Sequence, residues 1–404
     1  MAEWLRDGWL PRQARRAWHC LAGGGWRLAL CRVLVVLALV GFGGLLFAAA
    51  GLVPIAASEG HWAVTRALLQ FTMRSAVRTS TLGVQAPPLD DPGLVLKGAG
   101  HYASSCMPCH GAPGVARDLV VMQMTPKPPY LPHGTGTLRD EELFWIVKHG
   151  IKYTAMPAWP APLREDEVWA MVAFLRVQPG MSPERFRALA FGDRGDARTD
   201  DALLGPAMSP VLANCERCHG EDGMGRGDGA VPRLAGLDEA YLLASLQAFA
   251  SGRRHSGIMQ PVAARLGVGE RRALAAHFSS LGDGGSASCT APEPRDRAAI
   301  ARGATLAAQG DPRRKIPACI ACHRPGEAQR HPLYPALAGQ HADYLALQLR
   351  LFRDDRRGGT PRAGLMRAAA DRLEARDIRD LAAYYSVQPA GNDGASPCAP
   401  TGPS

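Results

Sequence analysis

The sequence predicts a mostly α-helical protein in which one N-terminal transmembrane helix precedes three small domains in tandem. Three observations carry that reading. A five-residue motif occurs three times at domain-sized intervals, the segments around it show helical rather than alternating apolar patterns, and residues 33–58 run without a charge. At 404 residues the chain has room for about three domains of ~100 residues plus connecting segments.

The motif reads CMPCH at 106–110, CERCH at 215–219 and CIACH at 319–323. Cys-x-x-Cys-His is the signature of covalent c-type haem attachment. Two cysteines three apart in a helical turn share a face, so their sulfurs can bond both vinyl groups of one porphyrin. The adjacent histidine then sits under the iron and can supply a proximal nitrogen. Zinc sites bring such pairs together within roughly 12–20 residues. Here the histidines are 109 and 104 residues apart. A thioredoxin-like redox motif needs a βαβ setting, which the flanking sequence lacks. Three covalently bound haem c groups with their iron are therefore expected, at Cys106, Cys109 and His110, at Cys215, Cys218 and His219, and at Cys319, Cys322 and His323.

The uncharged run at 33–58 is long enough to span a bilayer. Arg6, Arg12, Arg15, Arg16, Arg27 and Arg32 lie in the basic segment 1–32, which the positive-inside rule keeps in the cytoplasm. The haem domains then lie in the periplasm, and the protein is a single-pass component of the bacterial inner membrane. The rival is a cleaved signal peptide with Ala48–Ala50 as its processing site, but the apolar region of such a peptide is typically about 7–15 residues. The formal charge of +9 does not argue for nucleic acid, because those arginines make up much of it. Three haems would also add about six propionate carboxyls.

Residues 59–92 hold a juxtamembrane helix and a linker. The helix, at 61–77, is moderately amphipathic and either packs on the first domain or faces the membrane or a partner. The first haem domain spans 93–180, with helices at 139–149, stopped by Gly150, and at 164–176. A linker at 181–202 leads to a second domain at 203–282, and a linker at 283–298 to a third at 299–388, with a flexible tail at 389–404. The second and third domains are repeats. With a shift of 103 residues Pro232 meets Pro335, Tyr241 meets Tyr344, Phe249 meets Phe352, and Arg253 and Arg254 meet Arg356 and Arg357. A period of this size marks a duplicated domain rather than a solenoid. Each copy carries a helix (238–250 or 342–354), a glycine-bearing loop with a methionine, and a final helix (269–281 or 375–386).

The other axial position of each iron remains to be filled. Methionine is the usual partner in electron-carrying c haems and raises their potential. Met366 is the one methionine after Cys322 and lies 43 residues beyond His323. On that ruler Met259, 40 residues after His219, and Met156, 46 after His110, are the matching ligands. His255, 36 residues after His219, is the rival at the second site and would make a bis-histidine centre of lower potential. Histidines such as His101, His149 and His341 read as surface or propionate-neighbouring residues. Pro232 and Pro335, and less clearly Pro129, could offer a backbone carbonyl to the Nδ1–H of each proximal histidine, fixing the ring. Cys20 and Cys31 lie on the reducing side, whereas Cys289 and Cys398 occupy matching places in the repeat and form a candidate disulfide.

Residues 203–386, with CERCHGEDGMGRGDG, the Pro-x-Leu-Ala-Gly…Tyr…Phe pattern and the Met259 and Met366 loops, resemble the small dihaem cytochromes of the c-four type. The first domain, with HYASSCMPCHGAPG and ELFWIVKHGIKYTAMPAW, resembles single-haem class I cytochrome c domains. The resemblance implies a membrane-anchored trihaem cytochrome c built from three class I domains. One departure is that CIACH is followed by RPGEAQRHP rather than a glycine loop. Such families carry electrons in respiratory chains, often to a terminal haem–copper oxidase, with a soluble cytochrome or a dehydrogenase as further redox partners. With both axial positions filled, no iron is open to a substrate, so an electron carrier is expected and not an enzyme. The alternative is the cytochrome subunit of a membrane-bound periplasmic dehydrogenase acting on alcohols, sugars or aldehydes. A dihaem peroxidase or haem sensor would need an open iron.

Overall fold

The computed structural model describes residues 25–53, 55–192, 208–227, 229–281, 294–324 and 331–389. The chain divides into two compact units, 1–61 and 62–404. Among the described residues every regular element is a helix, and pairing is limited to isolated bridges. Cys289 and Cys398 lie outside the described residues, as do Cys20, most of the basic segment and nearly all of the tail.

The first unit contains α1 (Trp26–Ala49). Its Leu28–Ala49 stretch has a mean hydropathy of 2.4 and buries nothing against protein. It is thus long and apolar enough to cross a membrane, a test that a signal sequence also passes. The helix begins before the uncharged run, because nothing in 26–32 interrupts helical geometry. It stops at Ala49, where Gly51 turns the backbone to φ 71°, so the end of the predicted 33–58 span leaves the helix.

The second unit opens with α2 (Ala63–Ser80), in the place of the predicted 61–77 helix. Val77 is buried, while Val64, Leu68 and Phe71 are exposed. Next, α3 (Pro92–Ser105) starts where the Asp91 carboxylate accepts the Gly93 N–H at 2.7 Å and Pro92 fills a position that needs no donor. Helices α4 (Asp140–His149) and α5 (Glu165–Val177) follow. Glycine is required where α3 crosses α5, since a Cβ on Gly98 would lie 2.2 Å from the Ala170 carbonyl oxygen. The predicted 181–202 linker is corrected at its start. There α6 (Pro183–Phe191) inserts Phe186 and Ala190, both fully buried, into the same core as Tyr102 and Phe174. Burying a phenylalanine is worth about 1.5–3 kcal/mol, so α6 belongs to the first segment.

The repeat pair comprises α7 (Ser209–His219), α8 (Glu239–Ala250), α9 (Met259–Arg265) and α10 (Val268–Ser280), then α11 (Pro294–Gln309), α12 (Ala342–Arg353), α13 (Ala363–Ala370) and α14 (Ala375–Ser386). The predicted 283–298 linker thus gives way to helix at Pro294. Each half has its own apolar core. In the second half α11 crosses α14 at Gly303, where a Cβ would meet the Asp380 carbonyl oxygen at 2.0 Å, the counterpart of the α3–α5 crossing. The residues that repeat in sequence meet in space. Arg357 donates to the Tyr241 hydroxyl at 2.9 Å and Arg254 to the Tyr344 hydroxyl at 3.3 Å, a reciprocal exchange across the two halves. Each arginine also lies over its own segment's ring, Phe352 or Phe249.

Candidate cofactor sites

Two single helical turns and the last turn of α7 present the motifs. The turn Met107–His110 follows α3, CERCH closes α7, and Ile320–His323 stands after a turn closed by Asp311 and Ile316. In each, the histidine Nδ1 faces a proline carbonyl: Pro129 from His110 at 2.9 Å, Pro232 from His219 at 3.1 Å and Pro335 from His323 at 2.9 Å. A carbonyl can only accept, so the proton sits on Nδ1 and Nε2 keeps its lone pair. Burial pushes the pKa of His110 and His219 below the ordinary value, against the raising effect of those carbonyls, which favours the neutral ring that can bind a metal.

Opposite His323 stands Met366 on α13, with Nε2 and Sδ 3.4 Å apart. At the second site Met259, the first residue of α9, lines the same cavity as His219. His255 is exposed and is not part of that cavity's wall, and its carbonyl receives Arg164 at 3.0 Å. Met156, the expected partner of His110, is half-buried in the loop after α4. Its N–H donates to the Thr154 hydroxyl at 3.1 Å and its carbonyl accepts the Ile151 N–H at 3.2 Å.

One cavity of about 750 Å³ runs continuously through the second and third sites. Its wall includes Cys215, Cys218, His219, Cys319, Cys322 and His323. The Tyr385 hydroxyl on this wall is buried and has no hydrogen-bond partner among the described residues, a donor suited to a polar edge of a bound group. Burial drives the Cys106 and Cys215 thiols up to about 12 and Cys319 to about 11, so they are not ready-made thiolate ligands. Among the described residues no cluster of three or more His, Cys, Asp or Glu could hold a bare metal ion. The residues fit a large apolar group carrying its own metal, bonded through sulfur and capped by one histidine. Haem c is that group.

Sequence reasoning missed two features around the second site. His101 is not a surface residue, one of its two sequence expectations: it is 6% exposed, lines the cavity and packs edge-on against Trp159 at 4.8 Å. Arg217, inside CERCH, is buried and donates to the Gly100 carbonyl at 2.8 Å and the Ala190 carbonyl at 3.2 Å, both in the first segment. Gly100 leaves room for this, since a Cβ there would stand 3.3 Å from Cys218 Sγ. No local pattern announces a contact made across 117 residues.

Comparison with known proteins points to the same class of protein. Residues 210–281 and 300–386 match the family described as "Cytochrome c", and 93–175 match "Cytochrome C oxidase, cbb3-type, subunit III". The "Thiosulfate dehydrogenase electron acceptor" of Thiomonas intermedia is 40% identical over 183 residues, 45% of this chain and 82% of that protein. "Cytochrome c4" of Azotobacter vinelandii is 34% identical over 191 residues, 46% of this chain and 87% of that protein. A crystal structure of reduced cytochrome c4 from Pseudomonas stutzeri aligns at 31% identity over 48% of this chain and 100% of its own, with a TM-score of 0.40. The matched cytochrome c domains imply covalently bound haem c and electron transfer. The chain belongs to the cytochrome c family.

Proposed function

We propose that the protein is a membrane-anchored periplasmic electron carrier with three haem c groups, in three class I domains, and no substrate chemistry of its own. The pairs His110 and Met156, His219 and Met259, and His323 and Met366 are its axial ligands. The observation that supports this most is the shared geometry of the three proximal histidines, each locked by a proline carbonyl with Nε2 left to bind. Haem c supplies one-electron chemistry at its iron when bound, and the protein holds the ligands and excludes water around it.

The relative named as an electron acceptor of thiosulfate dehydrogenase favours a direction of flow. The repeat pair receives electrons from a periplasmic dehydrogenase, with a thiosulfate-oxidising enzyme as the leading donor. The first domain, similar to an oxidase subunit, passes them toward a terminal haem–copper oxidase. The exposed apolar side of α2 suits contact with the membrane or that oxidase.

The test is the haem-to-protein ratio and far-red absorption of protein recovered from washed membranes. A ratio of three, with a methionine–iron band from every haem, is expected. A ratio of two, or persistent high-spin ferric haem, would overturn the reading. Recovery in the soluble periplasm with a new N-terminus near Ala50 would replace the anchor by a cleaved signal. Reduction of the purified protein by a thiosulfate dehydrogenase and thiosulfate tests the donor.

A further inference from the structure

The loop that leads into Met259 is held by the first segment as well as by its own. Glu167, in the first turn of α5, is 2% exposed and stands at the centre of the contact. One carboxylate oxygen, Oε1, accepts the Ser256 hydroxyl at 2.6 Å, and Oε2 accepts the Gly257 N–H at 2.6 Å. The Ser256 Oγ in turn accepts the Met259 N–H at 3.0 Å. Arg164 pairs with Glu167 Oε1 at 3.0 Å and donates to the His255 carbonyl at 3.0 Å. Trp159 covers Gly257 so closely that a Cβ there would lie 2.0 Å from the indole nitrogen. Three consecutive residues before Met259 are therefore fixed from outside their own domain, and two hydrogen bonds join the Glu167 carboxylate to the Met259 amide. Charge-assisted bonds of this length in a buried site are about twice as strong as neutral ones, so they hold the loop in one conformation.

We propose that Glu167 is the positioning residue for Met259, so that the first domain sets the axial ligand of the second haem site. This rests on the reading of Met259 as that ligand. The second site is then a shared product of two domains, and its redox behaviour depends on their junction as well as on the repeat that carries the haem motif.

The experiment uses the full-length, haem-loaded protein and compares Glu167→Gln with Glu142→Gln. Glu142 is also buried in the first domain, but its carboxylate caps α4 through the Arg139 N–H at 2.9 Å and makes no contact with the Met259 loop. Glutamine at 167 offers one acceptor oxygen where two donors and a guanidinium are now served. The expected result for Glu167→Gln is a loss of up to about a third of the far-red methionine–iron band and a lowered potential at one haem, since methionine ligation raises potential. Glu142→Gln leaves both readouts unchanged. Ser256→Ala deletes only the hydroxyl between Glu167 and Met259 and gives the same change at smaller amplitude, which keeps the test open if Glu167→Gln folds poorly. An unchanged band and potential in these variants overturns the proposal. A raised potential with an intact band overturns it too, because that is the effect of removing a negative charge without moving a ligand. Met259→Ala separates the underlying assumption. If it removes one haem's share of the band while Glu167→Gln and Ser256→Ala do not, only the positioning role fails. If it leaves the band intact, the ligand assignment fails and the proposal with it.

Discussion

At Gly257 one methyl group decides whether two domains can meet. Nothing in its backbone angle demands glycine; the demand comes from the Trp159 indole that occupies the space of a side chain. An indole is rigid and cannot swing away cheaply, so Gly257→Ala should destabilise the holoprotein by about 1–3 kcal/mol, the usual cost of overpacking. Gly269, in the first turn of α10, has nothing within 4 Å of the position a Cβ would take. There alanine should instead stabilise by about 0.4–1 kcal/mol through the unfolded chain. Thermal unfolding of the two variants checks the contrast, and equal effects would show that space at the junction is not the cause. The same scale shows what sequence can say about single residues. Pro232 and Pro335 were legible because they match in the repeat, 13 and 12 residues after their histidines, whereas Pro129, 19 after His110, was the weaker candidate. Glu167 was not legible, because an acidic residue in a first helical turn already has an ordinary reason to be there, the positive end of the helix dipole.

Among the elements, the helices with strong apolar periodicity and clear stop signals appear within a residue or two of where the sequence puts them. Gly150 ends α4 at φ 64°, as its place after a basic last turn predicts. α6 was lost in a linker although its start signal was present, with Ser182 capping and Pro183 in the first position. The composition of the residues after it masked that signal. The repeat made Tyr241, Tyr344, Arg254 and Arg357 visible as a pattern, and the fold explains the pattern as a reciprocal contact between α8 and α12. A one-sided contact leaves no such trace. Gln340 aligns with Leu237, yet its amide donates to the Arg233 carbonyl at 2.9 Å and accepts the Arg233 N–H at 3.0 Å, all buried. Gln340→Ala should strand both backbone groups and cost about 1–3 kcal/mol. Denaturant titration of the haem-loaded protein measures it, and a cost below a few tenths would mean that water replaces the amide.

For the molecule as a whole, the junction between the first domain and the repeat pair is part of the proposed second redox site, and buried contacts rather than the covalent link should hold it. Its contacts are of the kind that salt screens least. Arg217 and Glu167 are buried, and each is satisfied by groups on the far side. A protease site placed within residues 193–207 and cut in the folded protein should therefore leave two fragments that co-elute at raised salt. The junction also carries a pH dependence. Burial first, and the Arg217 charge second, push His101 from the ordinary 6.5 down to about 4. Where the fragments separate, the Arg217 charge and the burial supplied by the second segment are removed, so His101 binds a proton more readily than it does in the junction. Its contribution is therefore complete above pH 6.5, declines as the pH falls through the window, and is lost at about 4, a change of at most about 3 kcal/mol. The cut protein should hold together at neutral pH and come apart toward pH 4. In His101→Gln the part of that decline due to the imidazole should vanish. Size-exclusion chromatography across the pH range gives the answer. Fragments that separate at neutral pH would mean that the linker, rather than the buried contacts, holds the first domain against the second haem site.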